Sequence, residues 1–277
     1  MTFTKSILMA SFFVLTGIAH AQTFAYLPVG GDKTSLDVYT FEEARDAPVM
    51  VYVHGGAWIA GDKSRVHEKD DFFLDRGYIF ISVNYSLVPQ TSVEEQLAEV
   101  DAALGYIVEN VERAGGDPEN ISLMGHSAGA HMVAMTALRP LENARALLAQ
   151  GALRAVITND TRSYDIVRLA AELGGRLPDT FAQPFGQDPA RWATLSPQLH
   201  IDANDASGPA FLVAHSGQGN VNHRARFSND FASALSAGGI SVTLYDGRHL
   251  SHEQINKCIG REAGITGAIA DFLGNVE

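Results

Sequence analysis

The chain is poor in the residues that would give it disulfide, metal or nucleic-acid chemistry. It has one cysteine, Cys258, in 277 residues, which rules out an internal disulfide and a thiolate zinc site. Positive charge is scarce: 20 Lys and Arg stand against 32 Asp and Glu, a formal charge of −12, and no basic patch offsets it. Such a field repels polyanions and argues against nucleic acid as a partner. The 10 histidines show no H-E-x-x-H or similar ligand spacing, so no metal or other cofactor is expected. Internal repeats and low-complexity tracts are missing as well. The profile is otherwise that of an ordinary globular protein, with 46% apolar and 19% charged residues.

One apolar run stands apart at the N-terminus. Lys5 supplies a positive start, Ile7 to Ala19 is apolar apart from small or hydroxyl residues, and Ala19-His20-Ala21 reads as an A-x-A cleavage site. The run is too short to cross ~30 Å of hydrocarbon comfortably, so a cleaved signal peptide over residues 1–21 is expected rather than a stable membrane anchor. Residues 22–277 then form one domain of a periplasmic or secreted protein.

Within that domain, short β-branched and aromatic runs alternate with helical patterns. Strands are predicted at Leu36–Phe41, Val49–Val53, Tyr78–Asn84, Ile121–Met124, Ala155–Thr158, Ala210–Ala214 and Ser241–Tyr245, with Ala25–Val29 as an eighth. Helices are predicted at 66–76, 93–113, 128–138, 224–237 and 266–273. The first two strands come as a pair, and later ones alternate with helices, which implies a mostly parallel sheet with an antiparallel start. Residues 159–200 are less regular, rich in Gly, Pro and Asp, and read either as a cap walling a pocket or as a surface loop with one or two helices.

Two motifs carry chemistry. Gly125-His126-Ser127-Ala128-Gly129 follows an apolar strand and opens a helical pattern. In that context the turn holds Ser127 in strained geometry with its hydroxyl exposed, and the flanking glycines leave room for helix and sheet. His54-Gly55-Gly56-Ala57-Trp58 follows the strand at Val49–Val53. Its paired glycines let backbone N–H groups face a developing oxyanion, together with the N–H of Ala128. Trp58 is close enough to border the acyl site, and core packing is its other reading.

The HGGAW segment, Asn84-Tyr85-Ser86-Leu87-Val88-Pro89 and the GHSAGAH run resemble the α/β-hydrolase superfamily, nearest its hormone-sensitive-lipase-like and carboxylesterase branch, which includes arylformamidase-like and feruloyl-esterase-like enzymes. The resemblance covers nearly the whole chain after residue 21. It implies an α/β-hydrolase fold: a mostly parallel eight-stranded sheet flanked by helices, with a small irregular cap. It also implies Ser127 as nucleophile and Gly55, Gly56 and Ala128 as the oxyanion hole.

The superfamily order of serine, acid and histidine places the base after the last strand. His252, in a segment resembling the family's catalytic-histidine loop, is favoured over His249; His126 and His131 are expected to shape the pocket. The acid departs from the pattern. The loop after Ala210–Ala214, residues 215–222, holds no Asp or Glu. Counting back from Phe231–Leu235, which resembles the family's next helix, puts Asn220 in the slot, or Asn222 if the count slips. The rival is an acid that has moved to Asp160 or Asp165, after the strand Ala155–Thr158.

The function implied is a metal-free exported serine hydrolase that cleaves small carboxylic esters, aryl or carbohydrate esters among them, through an acyl-enzyme. An arylformamidase-like amide hydrolase is the alternative in chemistry. A non-catalytic binding protein on a hydrolase scaffold is the alternative in class.

Overall fold

The run Ala-Pro-Val-Met-Val-Tyr-Val forms the strand β3 (Ala47–Val53), and its alternation sets the two faces of the sheet. Val49, Val51 and Val53 enter one apolar core, whereas Met50 and Tyr52 enter the other. A strand buried on both faces is what a parallel sheet with helices on each side requires.

A computed structural model describes residues 21–202, 208–218 and 221–276. The expected signal peptide, Ala21 apart, lies outside the described residues. Eight strands are described: β1 (Gln22–Ala25), β2 (Ser35–Tyr39), β3, β4 (Ile79–Val83), β5 (Gly116–His126), β6 (Leu153–Asn159), β7 (Ala210–Ser216) and β8 (Val242–Gly247). They lie in the order β1-β2-β4-β3-β5-β6-β7-β8, antiparallel up to β4 and parallel from β4 to β8. This is the mostly parallel, eight-stranded α/β sheet that the sequence implied.

Two sheet details differ from expectation. The strands read as a leading pair, β2 and β3, are not neighbours, because β4 lies between them and pairs antiparallel with β2. A helical crossover from β3 through α1 (Lys69–Leu74) returns β4 parallel beside β3, which leaves β2 to join the far side of β4. The eighth strand forms earlier than Ala25–Val29. Tyr26 N–H donates to the Thr34 carbonyl at 3.0 Å, closing a loop in which Gly30 takes φ 94°, so residues 26–34 turn the chain back.

On one face lie α1, α9 (Gln254–Lys257) and α10 (Ala263–Leu273), burying Phe72, Phe73, Ile255 and Ile269. On the other lie α2 (Val93–Asn110), α3 (Ala128–Leu138), α4 (Glu142–Gln150) and α8 (Val221–Ala237). The start of α2 is fixed by a capping box, in which Ser92 accepts from the Glu95 N–H and the Glu95 carboxylate accepts from the Ser92 N–H. Its end passes through one 3-10 turn, Val111–Ala114, to Gly115 at φ 86°.

Residues 160–200 form a structured cap. It holds α5 (Ile166–Glu172), α6 (Asp179–Phe185), α7 (Pro189–Thr194) and a 3-10 turn at Pro197–His200. Phe181, Phe185, Trp192 and Leu195 are buried with the core of the α2–α3 face. Among the described residues no helix is long and apolar enough to cross a membrane.

Candidate active site

Ser127 sits between β5 and α3 at φ 57°, ψ −115°, a conformation that L-residues avoid. The turn is tight enough to dictate its neighbours. A Cβ on Gly125 would lie 2.2 Å from the Gly129 carbonyl oxygen, and one on Gly129 would lie 2.0 Å from that of Val53. Ser127 N–H donates to the Asn159 carbonyl at 2.9 Å, which ties the turn to the end of β6. The first amides of α3 point their positive end at the hydroxyl.

His252 reaches this hydroxyl from the loop after β8. Its Nε2 lies 3.0 Å from Ser127 Oγ, and its Nδ1 lies 2.6 Å from Asp160 Oδ2. The partner of Nδ1 is therefore a carboxylate from the turn after β6. This corrects the assignment of the slot to an amide: the Nδ1–H of His252 donates its hydrogen bond to the Asp160 carboxylate. Asn220 itself lies outside the described residues. Asn222 falls in the first turn of α8. Asp165, the second displaced candidate, instead caps α5 by accepting from the Arg168 N–H at 2.9 Å.

Asp160 is fully buried and, like Ser127, has a positive φ of 60°. Its N–H donates to the Ala214 carbonyl at 2.9 Å. Its carboxylate accepts from the Ser216 N–H at 2.8 Å and the Ser216 hydroxyl at 2.6 Å, and the Arg224 guanidinium lies 3.6 Å away. Burial alone would raise its pKa. The hydrogen bond from His252, the charge of Arg224 and the Ser216 hydroxyl outweigh burial and hold it below the usual carboxylate range. The end of β7, where the family pattern puts the acid, thus supplies Ser216 as the clamp for an acid arriving from β6.

The oxyanion loop is pinned from several sides. A Cβ on Gly55 would stand 2.8 Å from the His126 carbonyl oxygen and 3.1 Å from Ser127 Cβ, so only glycine lets this backbone lie against the nucleophile. Gly56 has φ 133°, and a Cβ there would lie 1.8 Å from the Ala60 carbonyl oxygen. Among the described residues no acceptor takes the N–H of Gly55 or Gly56. Tyr85 stacks on His54 at 4.3 Å and donates its hydroxyl to the His54 carbonyl at 2.9 Å. Asn84 Oδ1 accepts from the Lys63 N–H at 2.7 Å. The Asn84-Tyr85 pair, quoted from sequence only as a resemblance, thus holds this loop in place.

His126 and His131 do not face the hydroxyl as bases. The His126 ring packs on that of His252 at 4.6 Å, and its Nε2–H donates to the His252 carbonyl at 2.9 Å. Burial, and then the neighbouring His252, push its pKa down to about 3. His131 Nε2–H donates to the Leu195 carbonyl at 2.8 Å, and burial pushes its pKa down to about 4. Trp58, 3% exposed, is wedged against His131 at 5.3 Å, Phe181 at 5.9 Å and Phe185 at 4.6 Å, so its ring joins the oxyanion loop to the cap. A recess of about 610 Å³ lies elsewhere, beside β1, β2 and the end of α2, and contains none of these residues.

An eight-stranded, mostly parallel sheet with a strained serine turn after β5 and a histidine after β8 is the α/β-hydrolase fold. The chain belongs to the BD-FAE family, whose model matches residues 36–235. It is similar to Esterase LipQ of Mycobacterium tuberculosis, 26% identical over 272 residues that cover 92% of this chain and 62% of that protein's length. Among solved structures it is similar to apo Thermogutta terrifontis esterase 2, at 20% identity and TM-score 0.70, covering 92% of this chain and 94% of that one. A truncated carbohydrate esterase from gut microbiota is similar at 17% identity and TM-score 0.73, covering 93% of this chain and 96% of that one. At these identities the two structures share the fold.

Proposed function

We propose that the chain is a serine hydrolase of small carboxylic esters. The observation that carries this reading is the hydrogen-bonded line from Ser127 Oγ through His252 to Asp160, at 3.0 and 2.6 Å. Ser127 attacks the ester carbonyl while His252 Nε2 takes its proton, and Asp160 stabilises the imidazolium through Nδ1–H. The oxyanion rests on the N–H groups of Gly55, Gly56 and Ala128. His252 then passes the proton to the leaving alcohol, and water repeats the sequence on the acyl-enzyme. The esterase names of similar proteins support the ester as substrate class, and the carbohydrate esterase among the structural neighbours supports carbohydrate esters within it.

Export belongs to the same proposal. It rests on the basic start, the apolar run and the A-x-A site of residues 1–21. N-terminal sequencing of protein recovered from the periplasm or medium should begin at Gln22, and an intact Met1 would refute cleavage.

The activity is tested on short p-nitrophenyl esters with wild type and Ser127→Ala. Losing the nucleophile should lower kcat by about 10⁶-fold, as it does in other serine hydrolases. An organophosphonate should label Ser127 in wild type and leave the variant unlabelled. Full turnover in Ser127→Ala, or an aryl formamide hydrolysed far faster than every ester, would overturn the ester reading. Binding of esters without turnover by wild type would put the chain in the binding-protein class.

A further inference from the structure

Among the described residues four arginines are partly buried: Arg162, Arg168, Arg191 and Arg224. Three have carboxylate partners. Arg168 pairs with Glu172 at 3.1 Å and Asp230 at 2.5 Å, Arg191 with Glu94 at 2.7 Å, and Arg224 with Asp160 at 3.6 Å. Arg162 has neither a carboxylate partner nor a hydrogen-bond acceptor among the described residues. The exposed arginines without a carboxylate, such as Arg65, Arg154 and Arg176, are satisfied by water. A half-desolvated guanidinium is not, and it stays charged at every ordinary pH.

The position of Arg162 gives that unpaired charge a use. It lies two residues beyond Asp160 on the turn that supplies the acid. Its guanidinium sits on the face of Phe181 of α6, 4.9 Å from the ring centroid. Phe181 in turn packs 5.9 Å from Trp58, which follows the oxyanion glycines. Arg162 therefore stands where the acid turn, the cap and the oxyanion loop converge. Burial and the adjacent charge of Arg224 both work against its protonated form. The cation–π contact with Phe181 helps hold the guanidinium in place, and its fork of N–H donors suits bidentate contact with a planar anion. In a chain with a net charge of −12, an anionic substrate needs such a local cation.

We infer that Arg162 is a specificity-determining residue that binds a carboxylate, so that the favoured substrates are esters bearing a carboxylate on their acyl or alcohol half. This rests on the ester-hydrolase reading above. A bound carboxylate would complete the missing ion pair and relieve the repulsion between Arg162 and Arg224.

Two matched pairs test the inference: monomethyl adipate against methyl hexanoate for the acyl half, and 4-acetoxybenzoate against phenyl acetate for the alcohol half. In wild type, kcat/KM for the charged member of at least one pair should exceed that of its neutral partner. Arg162→Gln should lower the charged-to-neutral ratio by about tenfold or more, chiefly through KM, the range of a charge-assisted hydrogen bond. Arg162→Glu should drive the ratio below one. Arg162→Lys keeps the charge without the fork and should fall between wild type and Gln, which provides a reading should the Gln variant fold poorly. Added salt should reduce the wild-type ratio. Ratios that stay within twofold of wild type in the Gln and Glu variants, or a wild type that prefers the neutral member of both pairs, overturn the inference while leaving the esterase intact. No hydrolysis of any of the four esters, with no phosphonate label on Ser127, overturns the esterase reading itself.

Discussion

The turns after β5 and β6 both hold their central residue at positive φ, Ser127 at 57° and Asp160 at 60°, but by different means. The serine turn is held from within. Its glycines Gly125 and Gly129 approach backbone oxygens so closely that no side chain fits, and Gly55 closes against it in the same way. The acid turn has no glycine between Asn159 and Arg168. It is held from outside, by Ala214 and Ser216 of β7, Arg224 of α8 and His252 beyond β8. One strained residue is imposed by its own sequence neighbours, and the other by partners 54 to 92 positions away. Strain of this kind persists only where the surroundings over-determine it, and each turn meets that requirement by one of the two available routes.

The sharpest break of this comparison removes the carboxylate and leaves its shape. Asp160→Asn keeps the side-chain volume and can still accept from Ser216, but it cannot balance an imidazolium and its amide favours the wrong tautomer. It should lower kcat by about 10⁴-fold, with KM little changed. Steady-state kinetics at neutral pH checks this, and a loss below tenfold would mean that His252 has another partner.

The two turns should also differ in how acid undoes them. Around the serine turn His54, His126 and His131 are buried, and burial drives their pKa values down to about 4, 3 and 4. In the unfolded chain each titrates near ~6.5. As pH falls from ~6.5 toward ~4, the unfolded state takes up as many as three protons that the native state refuses, so stability falls by about 4 kcal/mol per pH unit where all three contribute. Asp160 acts in another window. Its native pKa is depressed, so its contribution is complete above the unfolded value near ~3.9 and is lost only as pH falls through the native one. Urea unfolding at successive pH values should therefore show steep loss well above pH ~4. His131→Phe should reduce that slope by about a third, and an unchanged slope would remove His131 from the account.

A smaller change tests the outside hold directly. Ser216→Ala deletes the hydroxyl donor to Asp160 but keeps the Ser216 N–H donor. A hydrogen bond to a charged group contributes about 1.5–3 kcal/mol, so the variant should lose roughly ten- to a hundredfold in kcat if the clamp positions the acid. Its acid-limb pKa should shift as well, which a merely structural defect would not produce. Equal kcat and an unmoved pH profile would leave Arg224 and His252 as sufficient anchors.

The same contrast explains what could be read from sequence. G-H-S-A-G and H-G-G-A-W are legible because close backbone approach selects glycine at fixed spacing, and that selection is local. Strand alternation in β3 and the helix starting at Ala128 are legible for the same reason. The third partner of the triad is misplaced because the count back from Phe231–Leu235 keeps the acid after β7 and so settles on Asn220, and because nothing local ranks Asp160 above Asp165: only contacts with Ser216, Arg224 and His252 single Asp160 out. The end of β7 and the loop after it carry a usable sign, since residues 215–222 lack any carboxylate while Ser216 stands at the strand's end. The order of β2, β4 and β3 was hidden for a related reason, because sheet neighbours are set by the handed crossover through α1 rather than by sequence adjacency.

The faintest effect falls on the acid that was not chosen. Asp165 accepts from the Arg168 N–H at 2.9 Å as the N-cap of α5, and no hydrogen bond among the described residues joins it to His252. Replacing it with alanine leaves one amide of the first turn without its acceptor and removes a negative charge from the helix N-terminus. Both changes weaken α5 by a total of about 1 kcal/mol, within the range measured for N-cap residues. The cap should loosen slightly, seen as a drop of a few degrees in Tm for a domain of this size. The triad geometry does not pass through Asp165, so kcat on a neutral ester should stay within about twofold, far less than the ~10⁴ expected for Asp160→Asn. A collapse of kcat in Asp165→Ala at unchanged Tm would mean that the two aspartates share the task and that the acid turn is held less singly than its contacts imply.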